Sequence, residues 1–450
     1  MVRRRRRAAH GEPEVTDEVL QAVRRVSSPL RSSQDLDPLM DRIGEAKYVL
    51  LGEASHGTHE FYTWRTEISK RLIRERGFSF VAVEGDWPDC YRVNRFAKGY
   101  SDAGGSAEEV LRSFDRWPIW MWANREVEAL ANWLRERNAN APEAERVGFY
   151  GLDVYSLWDS LYQVLGYLSK NMPESLHAAT KAFQCFEPYG EDAQDYARAT
   201  RWVDASCEDE VIAMLQEFSA QLSHGHDSDG HDGLFNAQQN ARVVKEAEQY
   251  YRAMVQGGPE SWNVRDRHMV DTLERLIEHH GPVAKAIVWE HNTHVGDARY
   301  TDMADDGMVS VGQMVREAHA ADDVAIVGFG TNRGSVIAGD AWDAPMRPMN
   351  VPPARAGSWD DLLYRVSDED QLLIFDRESS DEVLLEERGQ RAIGVVYRPQ
   401  YEAKGNYVPT VLPRRYDALL YIREAHALQP LGHMHAEYSG EPPETYPTGF

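Results

Sequence analysis

The stretch Tyr48-Val-Leu-Leu-Gly-Glu-Ala-Ser-His-Gly57 decides the fold, because it joins an apolar run to a turn of small and polar residues. Its four leading apolar residues predict a buried β-strand. Its two glycines let the backbone turn tightly, and Ser55 or Thr58 can cap a following helix that carries Arg65. The stretch therefore predicts a strand, a turn and a helix, the repeating unit of an α/β protein.

Short apolar, β-branched runs alternate with long amphipathic segments along the chain, which is the pattern of parallel strands covered by helices. We therefore predict an α/β fold with a mainly parallel central sheet flanked by helices. The predicted strands are Tyr48–Leu51, Phe80–Val83, Val147–Leu152, Ala286–Trp289 and Val324–Gly328. Three later apolar runs complete the sheet or form its edge: Gln371–Phe375, Ala392–Tyr397 and Ala418–Ile422.

One α/β domain is predicted over residues 16–434, with a large helical insertion at about residues 156–280. The insertion is rich in Ala, Glu, Gln and Arg at helical spacing. Within it we predict helices over Asn236–Gln256 and Val264–His280.

Three segments lack the pattern of a packed element. Residues 1–15 contain the basic run Arg3–Arg7 without the apolar stretch of a signal peptide, so we predict a disordered N-terminus. The Gly-, His- and Asp-rich segment 223–233 predicts a solvated loop, and residues 435–450 predict a flexible tail.

The charge and composition limit the partners and the compartment. The net charge of −24 repels phosphate, which argues against nucleic acid or an anionic membrane as a main partner. No apolar window approaches the roughly 18 residues of a membrane span. The cysteines, Cys90, Cys185 and Cys207, are too few and too scattered for a disulfide framework. We therefore predict a cytoplasmic protein.

Ionisable side chains follow four predicted strands where each strand ends. Ligands bind at the carboxyl ends of parallel strands, because loops and helix N-termini converge there. The side chains are Glu53 and His56 after the first strand, Glu84 and Asp86 after the second, Asp153 after the third, and His291 and His294 after the fourth. Titratable groups gathered at one edge predict a catalytic cleft.

His56 is the strongest candidate for a general base. Its position beside a helix N-terminus disfavours the imidazolium and keeps the ring neutral. Glu53 can hold its tautomer, and Arg65 can reach a developing oxyanion or brace a carboxylate. The alternative is a buried histidine whose hydrogen bonds are satisfied within the turn.

His291 and His294 share one face if a helix begins at Asn292, but face opposite ways in a strand. If both point toward the cleft, one can act as a second acid or base, or as an oxyanion donor. The alternative is a hydrogen-bonded loop.

Other chemistries have weaker support. The Glu and His side chains could ligate a divalent metal, but no HExxH or other compact ligand motif is present, so no cofactor is predicted. Ser55 lacks the first glycine of a nucleophile elbow, and no nucleotide-binding loop occurs. The tryptophan-rich segment Trp117–Trp122 lines a pocket or packs in the core.

Several separated blocks resemble the erythromycin esterase family over about residues 40–430. The blocks are Gly52-Glu-Ala-Ser-His-Gly57, Arg65, Val83-Glu-Gly-Asp86, Phe149-Tyr-Gly-Leu-Asp-Val-Tyr-Ser156, Asn263-Val-Arg-Asp266, His291-Asn-Thr-His294 and Ala392-Ile-Gly-Val-Val-Tyr397.

The resemblance implies a deep cleft and a hydrolase in which His56 activates water to open a macrolide lactone, as in antibiotic resistance. It implies neither a nucleotide cofactor nor a covalent acyl-enzyme. The supporting polar residues would be Glu53, Arg65, Glu84 and either His291 or His294. We assign substrate contacts to Asp86, Trp122, Asp153, Tyr155 and Arg265. A small-molecule ester or lactone is thus the predicted partner.

Two other classes of protein stay open. One is a metal-dependent hydrolase that uses the same Glu and His side chains. The other is a relative that binds a ligand or haem without catalysis. The sequence does not predict the oligomeric state.

Overall fold

The computed structural model describes residues 12–189, 193–200, 206–221, 231–376 and 381–432. The strands are β1 (Ser27–Pro29), β2 (Tyr48–Leu51), β3 (Phe80–Asp86), β4 (Gly148–Asp153), β5 (Ala286–Trp289), β6 (Val324–Ala338), β7 (Arg347–Val351), β8 (Gln371–Ile374), β9 (Arg388–Arg391), β10 (Tyr407–Thr410) and β11 (Ala418–Ala425).

The helices cover both faces of these strands. They are α1 (Asp17–Val26), α2 (Asp37–Ile43), α3 (His59–Arg76), α4 (Trp87–Lys98), α5 (Ala107–Leu111), α6 (Arg125–Asn138), α7 (Leu157–Asn171), α8 (Leu176–Phe186), α9 (Ala193–Thr200), α10 (Glu208–Gln221), α11 (His231–Gln256), α12 (Glu260–His280), α13 (Asn292–Val295), α14 (Val311–Ala318), α15 (Trp359–Val366), α16 (Glu402–Gly405) and α17 (Leu412–Arg415). Across the described ranges, we find no helix with the length and the apolar composition needed to span a bilayer.

A nine-stranded sheet forms the centre of the described part of the chain, in the order β1-β8-β11-β6-β2-β5-β3-β4, with β7 paired to β6. The six strands from β11 to β4 run parallel, whereas β1, β7 and β8 pair antiparallel. Every residue of β2, β4 and β5 is buried, as expected for parallel strands covered on both faces. The predicted α/β fold with a mainly parallel sheet is confirmed.

Apolar runs located the central strands well and the later ones less well. The strands at 48–51 and 286–289 have the predicted bounds, whereas β6 continues ten residues beyond Gly328 to pair with β7. The predicted strand Ala392–Tyr397 is wrong, because this run makes only isolated bridges at Ile393 and Val396. The neighbouring β9 instead pairs with β10 in a separate two-stranded sheet.

Helices α7 to α12 lie between β4 and β5, in the region of the predicted insertion, and pack around their own apolar cluster. The two predicted helices begin earlier than expected, at His231 and Glu260. The predicted loop 223–233 lies outside the described residues up to position 230, and its last three residues belong to α11.

A disulfide joins Cys185 to Cys207 within this helical region, with a Cα–Cα distance of 5.8 Å. The sequence predicted no disulfide framework, because the cysteines are few and scattered, but one disulfide forms. The 22-residue separation is closed by the fold of the helices, which cysteine spacing alone does not reveal.

The two ends of the chain differ in what the structure describes. Residues 1–11 and the predicted tail 435–450 lie outside the described residues. Of the predicted disordered segment 1–15, residues 12–15 are described and packed. Glu12 pairs with Arg355, and the carbonyl oxygens of Pro13 and Glu14 accept hydrogen bonds from Arg388.

Candidate active site

A cleft of about 640 Å³ opens at the carboxyl ends of the central parallel strands. The predicted site residues that line it are His56, Glu84, Asp86, Trp122, Asp153, Tyr155 and Arg265. The predicted residues Glu53, Arg65, His291 and His294 are buried behind this lining. The structure therefore brings the predicted side chains together in two layers, one facing the cleft and one supporting it.

His56 stands in the turn between β2 and α3, and its ring is held from behind. Its Nδ1 lies 3.0 Å from Glu53 Oε1, and Arg65 donates to the other Glu53 oxygen over 2.8 Å. Gly57 keeps the turn tight, because a Cβ there would collide with the backbone of Ile337. Nδ1 is thus engaged, which leaves Nε2 as the nitrogen available to the cleft.

Arg65 is fully buried on α3, beneath the turn that carries His56. Its guanidinium carbon lies 4.4 Å from the centre of the Tyr62 ring and 4.8 Å from that of Trp289. In this position Arg65 contacts the Glu53 carboxylate and does not line the cleft, so the predicted contact with a substrate oxyanion has no support here. Helical spacing can predict that the side chain of Arg65 points inward. Only the folded structure shows that it contacts Glu53.

Glu84 and Asp153, at the ends of β3 and β4, are joined by Arg265 of α12. Arg265 donates to Glu84 over 2.6 Å and binds both oxygens of Asp153 over 2.9 and 2.7 Å. The backbone amide of His291 donates to the other Glu84 oxygen over 2.8 Å. Burial alone would raise the pKa of Glu84, but the electrostatic interactions with His294, Arg265 and His56, together with this amide, more than offset it and hold that pKa well below its usual range. Glu84 is therefore ionised.

His291 and His294 differ in how their ring nitrogens are used. His294 donates from Nδ1 to Asp266 over 2.8 Å, and its Nε2 lies 3.0 Å from a nitrogen of Arg265. Its ring stacks on Trp262 at 4.3 Å. His291 contacts Thr293 through Nδ1, and its buried Nε2 has no hydrogen-bond partner within the described residues.

The ring of His291 lies beside that of His56, with their centres 4.9 Å apart. Burial, with repulsion from His56, lowers the pKa of His291 well below its usual range, so this ring is neutral near pH 7. Of the two later histidines, His291 is the one whose ring lies next to the candidate base.

Acidic groups line the side of the cleft next to α4. Asp86 lies 3.3 Å from Arg116, and Asp89 accepts from Arg92 over 3.1 Å. Burial, with repulsion from Asp153, raises the pKa of Asp86 to about 6. Burial, with repulsion from Asp86, raises the pKa of Asp89 to about 7.

The sequence did not single out Asp89, Arg116 or Trp342, all of which line the cleft. Asp89 lies one helical turn after Asp86, which was the available signal. The tryptophan-rich segment serves both predicted purposes, since Trp117 and Trp122 line the cleft and Trp120 is buried in the core.

Glu290 was also missed as a site residue, although it directly follows β5. It is fully buried, and neither carboxyl oxygen has a hydrogen-bond partner in the described part of the chain. Burial, with repulsion from Glu84, raises its pKa well above the usual range, so Glu290 is a neutral acid.

Across the described ranges, no three His, Cys, Asp or Glu side chains come together in a way that could hold a metal ion. The acidic and histidine side chains of the cleft mainly contact arginines, amides or one another. The arrangement can hold the His56 imidazole against a carboxylate through Nδ1 and present Nε2 to a bound molecule.

Known proteins match most of the chain in sequence. The model of the family described as Erythromycin esterase matches residues 73–425. Erythromycin esterase type II of Escherichia coli is 22% identical over 333 residues, which cover 70% of this chain and 76% of that protein.

Solved structures match the fold over nearly the whole chain. A Bacillus cereus protein gives a TM-score of 0.76 at 20% identity and covers 94% of this chain and 100% of its own. A succinoglycan biosynthesis protein gives 0.73 at 20% identity, covering 92% and 98%. A histidine-to-asparagine mutant of erythromycin esterase EreC, in its open conformation, gives 0.64 at 14% identity, covering 90% and 97%. At these identities the likeness shows the fold.

Proposed function

The chain belongs to the erythromycin esterase family, and from that premise we propose that it hydrolyses an ester or lactone by direct attack of water. The observation that carries the proposal is the buried pair of Glu53 and His56, 3.0 Å apart, with the His56 ring at the wall of the cleft. A carboxylate at Nδ1 leaves Nε2 free to take a proton, which is the arrangement of a general base.

His56 Nε2 removes a proton from a water molecule in the cleft, and the water oxygen attacks the substrate carbonyl carbon. Glu53 stabilises the imidazolium that forms, and Arg65 holds the Glu53 carboxylate in place. The proton then passes from His56 to the leaving alcohol oxygen as the tetrahedral intermediate collapses. No covalent acyl-enzyme forms on this route.

The negative charge of the intermediate needs a donor close to His56. We assign this role to His291 rather than to His294 or Arg65. Both nitrogens of His294 are engaged, and Arg65 binds Glu53 beneath the turn. The His291 ring, although also behind the cleft lining, lies beside that of His56, with ring centres 4.9 Å apart. The ionised Glu84 lines the same cleft and orients the attacking water.

The walls of the cleft indicate the size and the polarity of the substrate. The lining combines the apolar rings of Trp117, Trp122 and Trp342 with the polar groups of Asp86 and Arg116. A bulky ester or lactone with an apolar body and polar substituents fits this combination. Macrolide lactones are one member of that class.

The experiment is an assay of the purified protein against a panel of esters and lactones that includes a macrolide, repeated with His56→Asn. We expect turnover of at least one substrate and a loss of about 10²–10⁴-fold in the variant, because a positioned general base contributes that much. The thermal unfolding midpoint should stay close to that of the wild type. His177→Asn, at an exposed site on α8, is the matched control and should keep full activity.

Wild-type turnover by His56→Asn would overturn the role of this histidine. Activity that disappears on dialysis against a chelator and returns with one particular cation would show a metal-dependent hydrolase instead. No turnover across the panel, together with a ligand found in the cleft, would favour a binding protein.

A further inference from the structure

The apolar and the charged parts of the cleft lining come from different parts of the chain. His56, Glu84 and Asp153 lie at or just after the carboxyl ends of parallel strands. The apolar side chains come mainly from residues 114–122, between α5 and α6, and Trp342 comes from the connection between β6 and β7. The size of the cleft is therefore set by connecting segments that carry none of the groups assigned to the proton transfer.

A tight turn of residues 341–344 fixes where Trp342 lies. The backbone N–H of Ala344 donates to the carbonyl oxygen of Ala341 over 3.2 Å, which closes the turn. Asp343 has a φ of 59°, and within the described ranges it is the only non-glycine residue with a positive φ. This conformation is uncommon for a residue with a Cβ, and it persists where the surrounding structure imposes it. The turn therefore holds the backbone at Trp342 in one orientation.

Trp342 packs against Trp117, which joins the turn to the other apolar segment of the cleft. The ring centres lie 4.6 Å apart, and Trp117 Nε1 donates to the carbonyl oxygen of Ala344 over 3.1 Å. Gly339 makes room for this contact, because a Cβ there would lie 3.1 Å from the Trp117 ring and 2.9 Å from the Ala341 carbonyl oxygen. The Trp342 side chain is only 6% exposed, so it cannot move aside without losing its contact with Trp117.

We propose that Trp342 is a specificity-determining residue that limits the bulk of the apolar group a substrate can place in the cleft. This inference rests on the proposed hydrolase function. The Trp342 ring lines the same cleft as His56, so an acyl group bound there for attack shares the space with a ring that its neighbours hold in place. In an apolar pocket, one methylene more or less changes kcat/KM by about tenfold to 200-fold. The cleft therefore admits esters and lactones up to a size that this ring sets.

The test measures kcat/KM for 4-nitrophenyl acetate and for 4-nitrophenyl cyclohexanecarboxylate, which share a leaving group and differ in the bulk of the acyl group. The quantity compared is the ratio of the cyclohexanecarboxylate value to the acetate value, because effects common to both esters cancel in it. We expect Trp342→Ala to raise this ratio by about tenfold to 100-fold, since the indole no longer limits the larger acyl group. Trp342→Phe, which removes less volume, should give an intermediate ratio.

Trp133→Ala is the matched control. Trp133 is a half-buried tryptophan of α6 outside the cleft lining, and the guanidinium carbon of Arg74 lies 5.0 Å from its ring centre. Its removal should leave the ratio at the wild-type value.

A second measurement does not depend on turnover. Cyclohexanecarboxamide is a stable analogue of the larger ester, and acetamide is the analogue of the smaller one. In an NMR titration, cyclohexanecarboxamide should bind Trp342→Ala about tenfold more tightly than the wild type, whereas the affinity for acetamide should not change.

The two measurements separate the possible failures. A ratio that stays equal or falls in Trp342→Ala would overturn the role of Trp342, and so would equal affinity of both proteins for cyclohexanecarboxamide. If Trp342→Ala does not fold, Trp342→Phe decides the result by the same criteria. A wild-type protein inactive on every ester would overturn the hydrolase proposal, while the titration would still decide whether Trp342 limits the cleft.

Discussion

Two clusters of buried polar side chains, one around Arg391 and one at the cleft, differ in how many of their polar atoms have hydrogen-bond partners. Around Arg391 of β9, the guanidinium donates to Glu402 over 2.7 Å and to the carbonyl oxygens of Thr331 and Pro352 over 2.8 Å. The backbone amide of Arg391 donates to Asp360 over 2.8 Å. Each charge in this cluster has partners that the fold itself supplies.

In the cleft cluster, by contrast, several buried polar atoms lack a hydrogen-bond partner within the described residues. Within the described residues, one oxygen of Asp86, both oxygens of Glu290 and Nε2 of His291 have no partner. Leaving such atoms unpaired lowers stability, whereas a satisfied network makes the structure rigid. The contrast supports a structural role for the Arg391 cluster and the proposed binding role of the cleft cluster.

The largest expected effect on stability comes from Arg391→Met. This change leaves the buried carboxylates of Glu402 and Asp360 without their cation, so we expect the free energy of unfolding to fall by about 3–5 kcal/mol. The kcat of the folded fraction should not change. Chemical denaturation with a parallel activity assay measures both quantities.

Arg31→Met is the matched control, because Arg31 forms an exposed pair with Glu369, with side chains 65% and 44% exposed. Its effect should stay within about 1 kcal/mol. A variant of Arg391 that lost activity and kept its stability would remove the distinction between the two clusters.

A smaller effect, on activity, is expected from Glu84→Gln. The amide cannot replace the carboxylate that orients water, so kcat should fall about 100-fold. Arg265 keeps its two bonds to Asp153, so stability should fall by less than in Arg391→Met. Steady-state kinetics and thermal unfolding measure these two effects. The control is Glu67→Gln, a partly exposed glutamate on α3. Full activity of Glu84→Gln would remove Glu84 from the mechanism.

The smallest effect is a dependence of stability on pH that Asp89 introduces. Burial raises the pKa of Asp89 from 3.8 to about 7, so the folded state binds this proton more tightly than the unfolded state. Stability from Asp89 is therefore present below pH 4 and lost as the pH rises through 7. Asp89→Asn should raise the free energy of unfolding by about 2 kcal/mol at pH 8 relative to the wild type, with little change at pH 4.

Denaturant titrations at the two pH values check this difference, with the exposed Asp322→Asn as control. If Asp89→Asn destabilised the protein equally at both values, Asp89 would behave as a satisfied structural carboxylate, like those around Arg391.

The order of apolar runs and polar residues along the chain located the sheet edge at which the cleft lies. The apolar runs placed β2 and β5 at their observed bounds, and the residues that follow parallel strands share one edge of a sheet. For this reason the edge carrying His56, Glu84 and His291 could be predicted before any distance was known. The same signal was insufficient at Ala392–Tyr397, since an apolar run does not reveal whether a partner strand exists.

Residue types and their order along the chain thus determined the α/β fold, the family and the edge at which the polar groups gather. Packing decided the rest: that Arg65 lies under Glu53, that Cys185 meets Cys207, and that the His291 ring lies beside His56. Strand and helix periods are local, so a sequence displays them directly. The partner of a buried nitrogen or guanidinium comes from a distant segment, and only the folded chain selects it.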